Sequence, residues 1–229
     1  LNASPYSTFK ILHHYNKIKK LRKGEHPSPI SVRLILSDLC NQNCHFCTFR
    51  MEGSFTNKLF GEPNKKGIFT LNPSRFLSKE KSLEIIKDCS EMGVKSIEFT
   101  GGGEPTVHPD HVEIFSAVLD EGMDFGLITN GVLFKKGFED IILKSTWCRF
   151  SLDAGNAKTY SKIRETPEST FDKVLENIRR LVKKKKQINS ETTLGLSFIV
   201  TDENYSEIYD AAKISSELGV DYFRIGYYR

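Results

Sequence analysis

The stretch Cys40-Asn41-Gln42-Asn43-Cys44-His45-Phe46-Cys47 decides how the rest of the chain is interpreted. It follows a strand-like run, Val32–Ser37, and it holds three of the five cysteines of the 229-residue chain. Three neighbouring thiolates indicate a metal site. A structural zinc site needs four closed ligands, so zinc is the weaker interpretation. A cubane iron-sulfur cluster held by three cysteines leaves one iron free to bind something other than protein, which implies chemistry.

Strand-like and helix-like segments alternate along the chain outside this stretch. The predicted strands are Val32–Ser37, Val94–Thr100, Asp124–Thr129, Trp147–Asp153, Thr193–Thr201 and Asp221–Tyr227. The predicted helices are Lys79–Met92, Pro109–Glu121, Phe138–Lys144, Phe171–Lys186 and Asn204–Leu218. This alternation predicts an α/β fold with parallel strands and right-handed crossovers, as either an open doubly wound sheet or a barrel.

A second motif, Thr100-Gly101-Gly102-Gly103-Glu104-Pro105, follows the second predicted strand. Glycines let the backbone approach a ligand closely, and Glu104 or a neighbouring carbonyl can accept hydrogen bonds from an ammonium group. This motif and the cysteine stretch, with the aromatic Phe46 before its last cysteine, resemble two motifs of the radical S-adenosylmethionine (SAM) enzyme superfamily. The resemblance extends over roughly Ser31 to Tyr227 and implies a partial (β/α)6 TIM-like barrel rather than an open sheet.

The same resemblance implies a set of site residues. Cys40, Cys44 and Cys47 are expected to hold a [4Fe-4S] cluster with no fourth protein ligand, and His45 is expected not to be a ligand. An electron from the cluster would cleave SAM to a 5′-deoxyadenosyl radical, which abstracts hydrogen from a peptide or small-molecule substrate. Arg164 resembles the arginine that pairs with the methionyl carboxylate of SAM. The residues expected to bind SAM are Phe46, Gly101, Gly102, Gly103, Glu104, Thr129, Asn130, Ser151, Asp153 and Arg164.

Composition limits the partners that we expect. A net charge of +4 is too small for a dedicated nucleic-acid binder, so nucleic acid ranks below a small molecule or peptide. Two alternatives stay open: radical SAM modification of a nucleotide or RNA, and a non-enzymatic metal-binding or nucleic-acid-binding module with Lys183–Lys186 in its basic surface. The radical chemistry would require a flavodoxin-like or ferredoxin-like electron donor. Because such donors are typically acidic, the basic surface is a candidate docking site.

The chain divides into an N-terminal extension, residues 1–30, and a core domain, residues 31–229. The extension carries a predicted basic amphipathic helix, Phe9–Lys23. Residues 48–77 form a long insertion that we expect to be part of a lid or substrate wall, with an ordered insertion buried by its own aromatic residues as the alternative. The unpaired cysteine pattern predicts a reducing, cytoplasmic setting, and no apolar run approaches the length of a membrane span. The chain begins with Leu1 rather than Met, so we expect it to be an internal fragment.

The alternation of side chains along the strands predicts the barrel interior. If Ser151 and Asp153 face SAM, then Arg149 points inward one layer deeper, and the same count turns Glu98 and Arg224 inward. Buried charges need partners, so Glu98 is expected to bridge to Arg149, Arg224 or both. Cys148 then faces the outer helices as a core residue rather than a ligand.

Overall fold

The computed structural model describes residues 12–50 and 76–227. Six strands form one parallel sheet: β1 Ser31–Leu34, β2 Ser96–Phe99, β3 Asp124–Thr129, β4 Trp147–Ser151, β5 Thr193–Val200 and β6 Tyr222–Tyr227. The α-helices are α1 Tyr15–Arg22, α2 Lys79–Glu91, α3 His111–Asp120, α4 Phe138–Ile142, α5 Ala157–Arg164, α6 Ser169–Gln187 and α7 Ile208–Leu218. Among the described helices, none is long and apolar enough to cross a membrane.

The strands lie in the sheet in chain order, from β1 to β6. Crossovers between parallel strands are right-handed, so an unbroken order places every crossover helix on the same face of the sheet. A doubly wound sheet instead reverses its strand order and carries helices on both faces. The opposite face here lines a lumen, which confirms the predicted TIM-like partial barrel. Within the described chain β1 and β6 are the two edges of the sheet and do not pair.

Strand β4 shows how the two faces of the sheet differ. Cys148 and Phe150 have no exposed surface and belong to the core beneath the helices, whereas Trp147, Arg149 and Ser151 are half-buried. This confirms the prediction that Cys148 is a core residue. The alternation places the side chains that can carry chemistry in the lumen, at increasing height toward the carboxyl end of the strand.

Two helices differ from the prediction. The sequence analysis missed α5, which begins after Asn156, whose side chain accepts a hydrogen bond from the Thr159 amide at 2.9 Å. Its eight residues bury only Tyr160, Ile163 and Arg164, too few for a clear helical period. Helix α1 is shorter than the predicted Phe9–Lys23, of which residues 9–11 lie outside the described chain. The predicted lid at 48–77 also lies outside it, except for residues 48–50 and 76–77.

The prediction that Glu98 pairs with Arg149 or Arg224 is wrong, because its partner is Arg33. Glu98 Oε1 lies 3.0 Å from Nη2 of Arg33, its direct neighbour in the β1–β2 register. Neighbouring strands are only about 4.8 Å apart, so Arg33 lies closer to Glu98 than a residue on β4 or β6 does. Glu98, Arg149 and Arg224 do line one cavity of about 650 Å³ in the lower lumen.

Candidate functional site

The carboxyl ends of the strands bring the two sequence motifs together around one cavity of about 200 Å³. Most of the predicted site residues line it, and Phe46 and Asp153 do not. The lining residues are Cys40, Gln42, Cys44, Cys47, Phe49, Thr100, Gly101, Gly102, Gly103, Glu104, Ile128, Thr129, Asn130, Ser151 and Arg164. Because the segments that follow β1 and β2 meet the ends of β3 and β4 there, the site depends on the parallel order of these four strands.

The glycine motif is docked directly against the start of the cysteine loop. The Gly103 amide donates to the Ser37 carbonyl and the Glu104 amide to the Leu39 carbonyl, each at 2.8 Å. A Cβ atom on Gly103 would lie 1.9 Å from the Leu39 carbonyl oxygen. Only glycine permits this approach of two backbones, so the motif positions the loop that carries the cysteines.

Glu104 is a buried brace between strand ends. Its Oε1 accepts from the Thr106 amide at 3.0 Å and from the hydroxyls of Thr106 and Thr129, both at 2.7 Å. Its Oε2 accepts from the Asn130 amide at 2.8 Å. Burial raises the pKa of the Glu104 carboxyl, and these four hydrogen bonds oppose the rise. The carboxylate is therefore engaged chiefly by the protein, rather than free to take an ammonium group.

Arg164, at the end of α5, is held inside the site by three parts of the chain. Its Nη2 donates to the Ser151 carbonyl at 2.8 Å and to Asp153 Oδ2. Its Nη1 donates to Gln42 Oε1 at 2.6 Å and lies 3.5 Å from the Cys44 sulfur. The Tyr160 ring lies 5.2 Å from the guanidinium carbon. Among the buried guanidinium nitrogens of the described residues, Arg164 Nε is the one without a hydrogen-bond partner.

Asp153 faces Arg164 and β5 rather than the cavity. Its Oδ1 accepts from the Ile199 amide at 2.7 Å, and its backbone has a φ of 58°. Burial raises the pKa of the Asp153 carboxyl, and the charge of Arg164 opposes the rise. In the structure Asp153 holds the guanidinium of Arg164, and its expected contact with SAM stays a prediction.

Gln42 is a site residue that the sequence analysis missed. Besides accepting from Arg164, it donates to the Tyr160 hydroxyl at 2.7 Å and so links the cysteine loop to α5. Its position between Cys40 and Cys44 was the one feature of the sequence that could have marked it as a site residue. Its partners, however, lie about 120 residues further along the chain, and no local pattern predicts that contact.

His45 and Phe46 point to a different place from the three cysteines. His45 Nε2 lies 3.4 Å from Glu203 Oε1. The rings of His45 and Phe46 line a separate cavity beside the loop after β5. The Phe46 ring centroid lies 6.0 Å from the Arg164 guanidinium carbon. The placement of Phe46 near the adenine of SAM, and of His45 as a non-ligand, stay predictions.

The donor set of the cavity fits a cluster on Cys40, Cys44 and Cys47. Burial raises the pKa of the Cys40 and Cys44 thiols, and for Cys44 the Arg164 charge opposes the rise, so stable thiolates there need a cationic partner. In the described ranges, no three His, Cys, Asp or Glu side chains converge as they would around one ion. A cubane cluster takes its cysteines on separate irons. The unpartnered Arg164 Nε and the backbone of the glycine motif can bind an anionic ligand beside such a cluster.

Comparison with known proteins identifies related sequences and folds. The Radical SAM superfamily model matches residues 34–214. A probable GTP 3′,8-cyclase of Saccharolobus islandicus is 29% identical over 192 residues, which cover 83% of this chain and 54% of that protein. Streptococcus suis SuiB bound to its precursor peptide SuiA has a TM-score of 0.67 at 19% identity, covering all of this chain and 46% of SuiB. Native anSMEcpe with bound AdoMet has a TM-score of 0.63 at 18% identity, and the match covers 88% of this chain and 52% of anSMEcpe. The chain thus spans about half the length of the relatives that it matches.

Proposed function

We propose, on the premise that this chain belongs to the radical SAM superfamily, that it binds a [4Fe-4S] cluster and SAM at the mouth of the barrel and uses the resulting 5′-deoxyadenosyl radical to abstract hydrogen from a substrate. The observation that carries this proposal is the single cavity lined by all three cysteines, the glycine motif, Ser151 and Arg164. Barrels carry their active sites at this end of the strands.

In this proposal each part of the cavity has a task. Cys40, Cys44 and Cys47 ligate the cluster, which supplies the electron that cleaves the sulfonium of SAM. The backbone of Gly101–Glu104, the Ser151 hydroxyl and the free Arg164 Nε bind SAM, with Phe46, Thr129 and Asn130 beside it. Glu104 keeps the ends of β2 and β3 together, because Thr129 and Asn130 both donate to it.

The chain also supplies a prearranged site. Asn130 Nδ2 donates to Asn41 Oδ1 at 2.7 Å and lies 3.9 Å from the Cys40 sulfur, which fixes the first cysteine against the end of β3. Glu104, Thr129 and Asn130 are almost fully buried beneath the cavity. A buried polar floor orients a bound ligand and excludes water from reactive chemistry.

Anaerobic reconstitution with iron and sulfide tests the proposal. We expect a brown protein with about four irons per chain that cleaves SAM on reduction, and we expect Cys40→Ala, Cys44→Ala or Cys47→Ala to abolish cleavage. Cys148→Ala is the matched control, because Cys148 is fully buried on the helix side of β4. A colourless protein that binds zinc instead would exclude the enzyme and favour a metal-binding module.

For the substrate, a peptide or a small molecule is the first candidate. A nucleotide is the second, and the lower lumen favours it. Arg149 and Arg224 line the 650 Å³ cavity there, and within the described residues neither guanidinium has a carboxylate at ion-pair distance. Arg149 lies only two residues below Ser151, so this cavity is about 7 Å beneath the upper one. Glu98 and Asp124 line the same cavity, and Glu98 pairs with Arg33, so the two arginines leave a small excess of positive charge there, which suits an anionic substrate.

Binding measurements distinguish the two substrate candidates. If the substrate is a nucleotide, GTP binding should weaken about ten- to hundredfold in Arg149→Gln, since a charged hydrogen bond contributes about 1.5–3 kcal/mol. Arg179→Gln is the control, because Arg179 is exposed on α6 and pairs only with Glu176. GTP binding that is equally weak in the parent and both variants would exclude GTP as the substrate and leave a peptide or another small molecule as the candidate.

A further inference from the structure

We propose that Arg164 raises the reduction potential of the cluster by donating a hydrogen bond to the sulfur of Cys44, and that Asp153 and Gln42 are positioning residues that hold it there. This inference rests on the proposed function, because it requires a cluster on Cys44. It assigns Arg164 a role toward the cluster, in addition to any contact with SAM.

The guanidinium has little freedom to take another orientation. Its Nη1 is anchored by Gln42 in the cysteine loop and its Nη2 by Asp153 and the Ser151 carbonyl at the end of β4, so the anchors come from two separate parts of the chain. Only 3% of Arg164 is exposed. With these anchors in place, the remaining Nη1 hydrogen is the one available to the Cys44 sulfur at 3.5 Å.

The same anchors limit how Arg164 can bind SAM. A two-pronged pairing with a carboxylate uses two parallel N–H groups of the guanidinium fork. Both Nη groups already have protein acceptors, and the Nε is the single donor left over. A bidentate pairing with the methionyl carboxylate would therefore break the buried contact with Asp153 or with Gln42, so the contact with Cys44 is the better-supported assignment.

The sign of the effect follows from charge. Reduction adds an electron to the cluster, and hydrogen bonds and positive charge at its sulfurs stabilise that added electron. The interaction between Arg164 and the cluster is little screened, because Arg164 is buried. Asp153 is also close, and its negative charge offsets part of the effect of Arg164. Removing the positive charge should make reduction harder, and removing the negative charge should make it easier.

A potentiometric titration followed by electron paramagnetic resonance tests this on the reconstituted chain without SAM. We expect Arg164→Met to shift the midpoint potential to more negative values. Asp153→Asn should shift it to more positive values, because the amide oxygen can still accept from Arg164 Nη2 while the negative charge is lost. Arg149→Gln is the matched control, because it removes the same charge one layer deeper, away from the cysteines. Its shift should be clearly smaller than that of Arg164→Met.

The outcomes separate this inference from the proposed function. A parent chain that binds no iron would defeat the proposed function before any variant is compared. A parent chain with a normal cluster, and Arg164→Met with full iron content and a potential equal to that of Arg149→Gln, would overturn the role of Arg164. If Arg164→Met loses iron, Asp153→Asn decides, and an unchanged or more negative potential in that variant overturns the inference.

Discussion

Gly103→Ala should disrupt the cluster loop without touching a cysteine. The new Cβ atom would lie 1.9 Å from the Leu39 carbonyl oxygen and 2.6 Å from the Asp38 carbonyl carbon, and all of these neighbours are backbone atoms. Gly103 does not have a positive φ, so alanine adds no backbone strain of its own. The effect is therefore purely one of space.

The cost can be worked out from the contacts. The Leu39 oxygen must retreat by about 1.1 Å to reach even a 3.0 Å contact. That movement pulls on the two hydrogen bonds between the motifs, Gly103 to Ser37 and Glu104 to Leu39. Two lost hydrogen bonds at about 1 kcal/mol each, plus overpacking of about 1–3 kcal/mol, give a loss of about 3–5 kcal/mol. Because Leu39 precedes Cys40, the displacement also reaches a cluster ligand.

Gly101→Ala is the matched control within the same motif. Its Cβ atom would meet the Phe49 side chain at 2.8 Å, and a side-chain tip can move aside. The assays are denaturant unfolding and iron content after anaerobic reconstitution. We expect Gly103→Ala to lose both stability and iron and Gly101→Ala to keep most of each. Full iron in Gly103→Ala, with stability equal to that of Gly101→Ala, would refute the reasoning.

Three further predictions concern charge. Glu104→Gln should cost about 1–3 kcal/mol in denaturant unfolding, because the amide cannot accept from all four donors now on the carboxylate; parental stability would contradict the bracing role. Burial lowers the pKa of His111 from 6.5 to about 4, so the unfolded chain binds the proton more tightly between these values. Stability should be complete above pH 6.5 and fall by about 3 kcal/mol as the pH drops to 4, and His111→Gln should abolish that slope. Reduction by an acidic flavodoxin-like or ferredoxin-like donor should slow with rising salt, and a salt-independent rate would exclude the basic surface as its docking site.

The fold was predictable because its signals are local. Each strand run carries its own apolar pattern, and glycine ends helices where it lies at a left-handed φ, as at Gly219 after α7. The sequence analysis missed helix α5 because two of its buried residues belong to the site: Tyr160 and Arg164 contact each other and Gln42. The buried positions of α5, 160, 163 and 164, do have helical spacing, but only one of them is aliphatic, so the sequence shows no apolar stripe there.

The site was predictable in its motifs but not in its network. Spacing identifies the cysteines as a metal site, and the resemblance to the radical SAM superfamily identifies the glycine motif, since both motifs are contiguous in the chain. The pairing of Asp153 with Arg164 and the contact of Arg164 with Gln42 depend on where α5 returns to the barrel mouth. The error at Glu98 has a related cause. The alternation fixed which face each side chain occupies, but the choice of partner depended on the register with Arg33 on the adjacent strand.

The cysteine loop is held in place by the barrel along its whole length. The Glu104 amide binds Leu39 just before the first cysteine, and Asn130 binds Asn41 just after it. Further along, the amides of Asn43 and His45 donate to the carbonyls of Arg164 and Ile163 at 3.0 and 3.3 Å. Ordering a free loop around a ligand costs conformational entropy at the moment of binding. Here folding of β2, β3 and α5 meets that cost in advance, so α5, which the sequence pattern hides, is as much a part of the cluster site as the cysteine stretch itself.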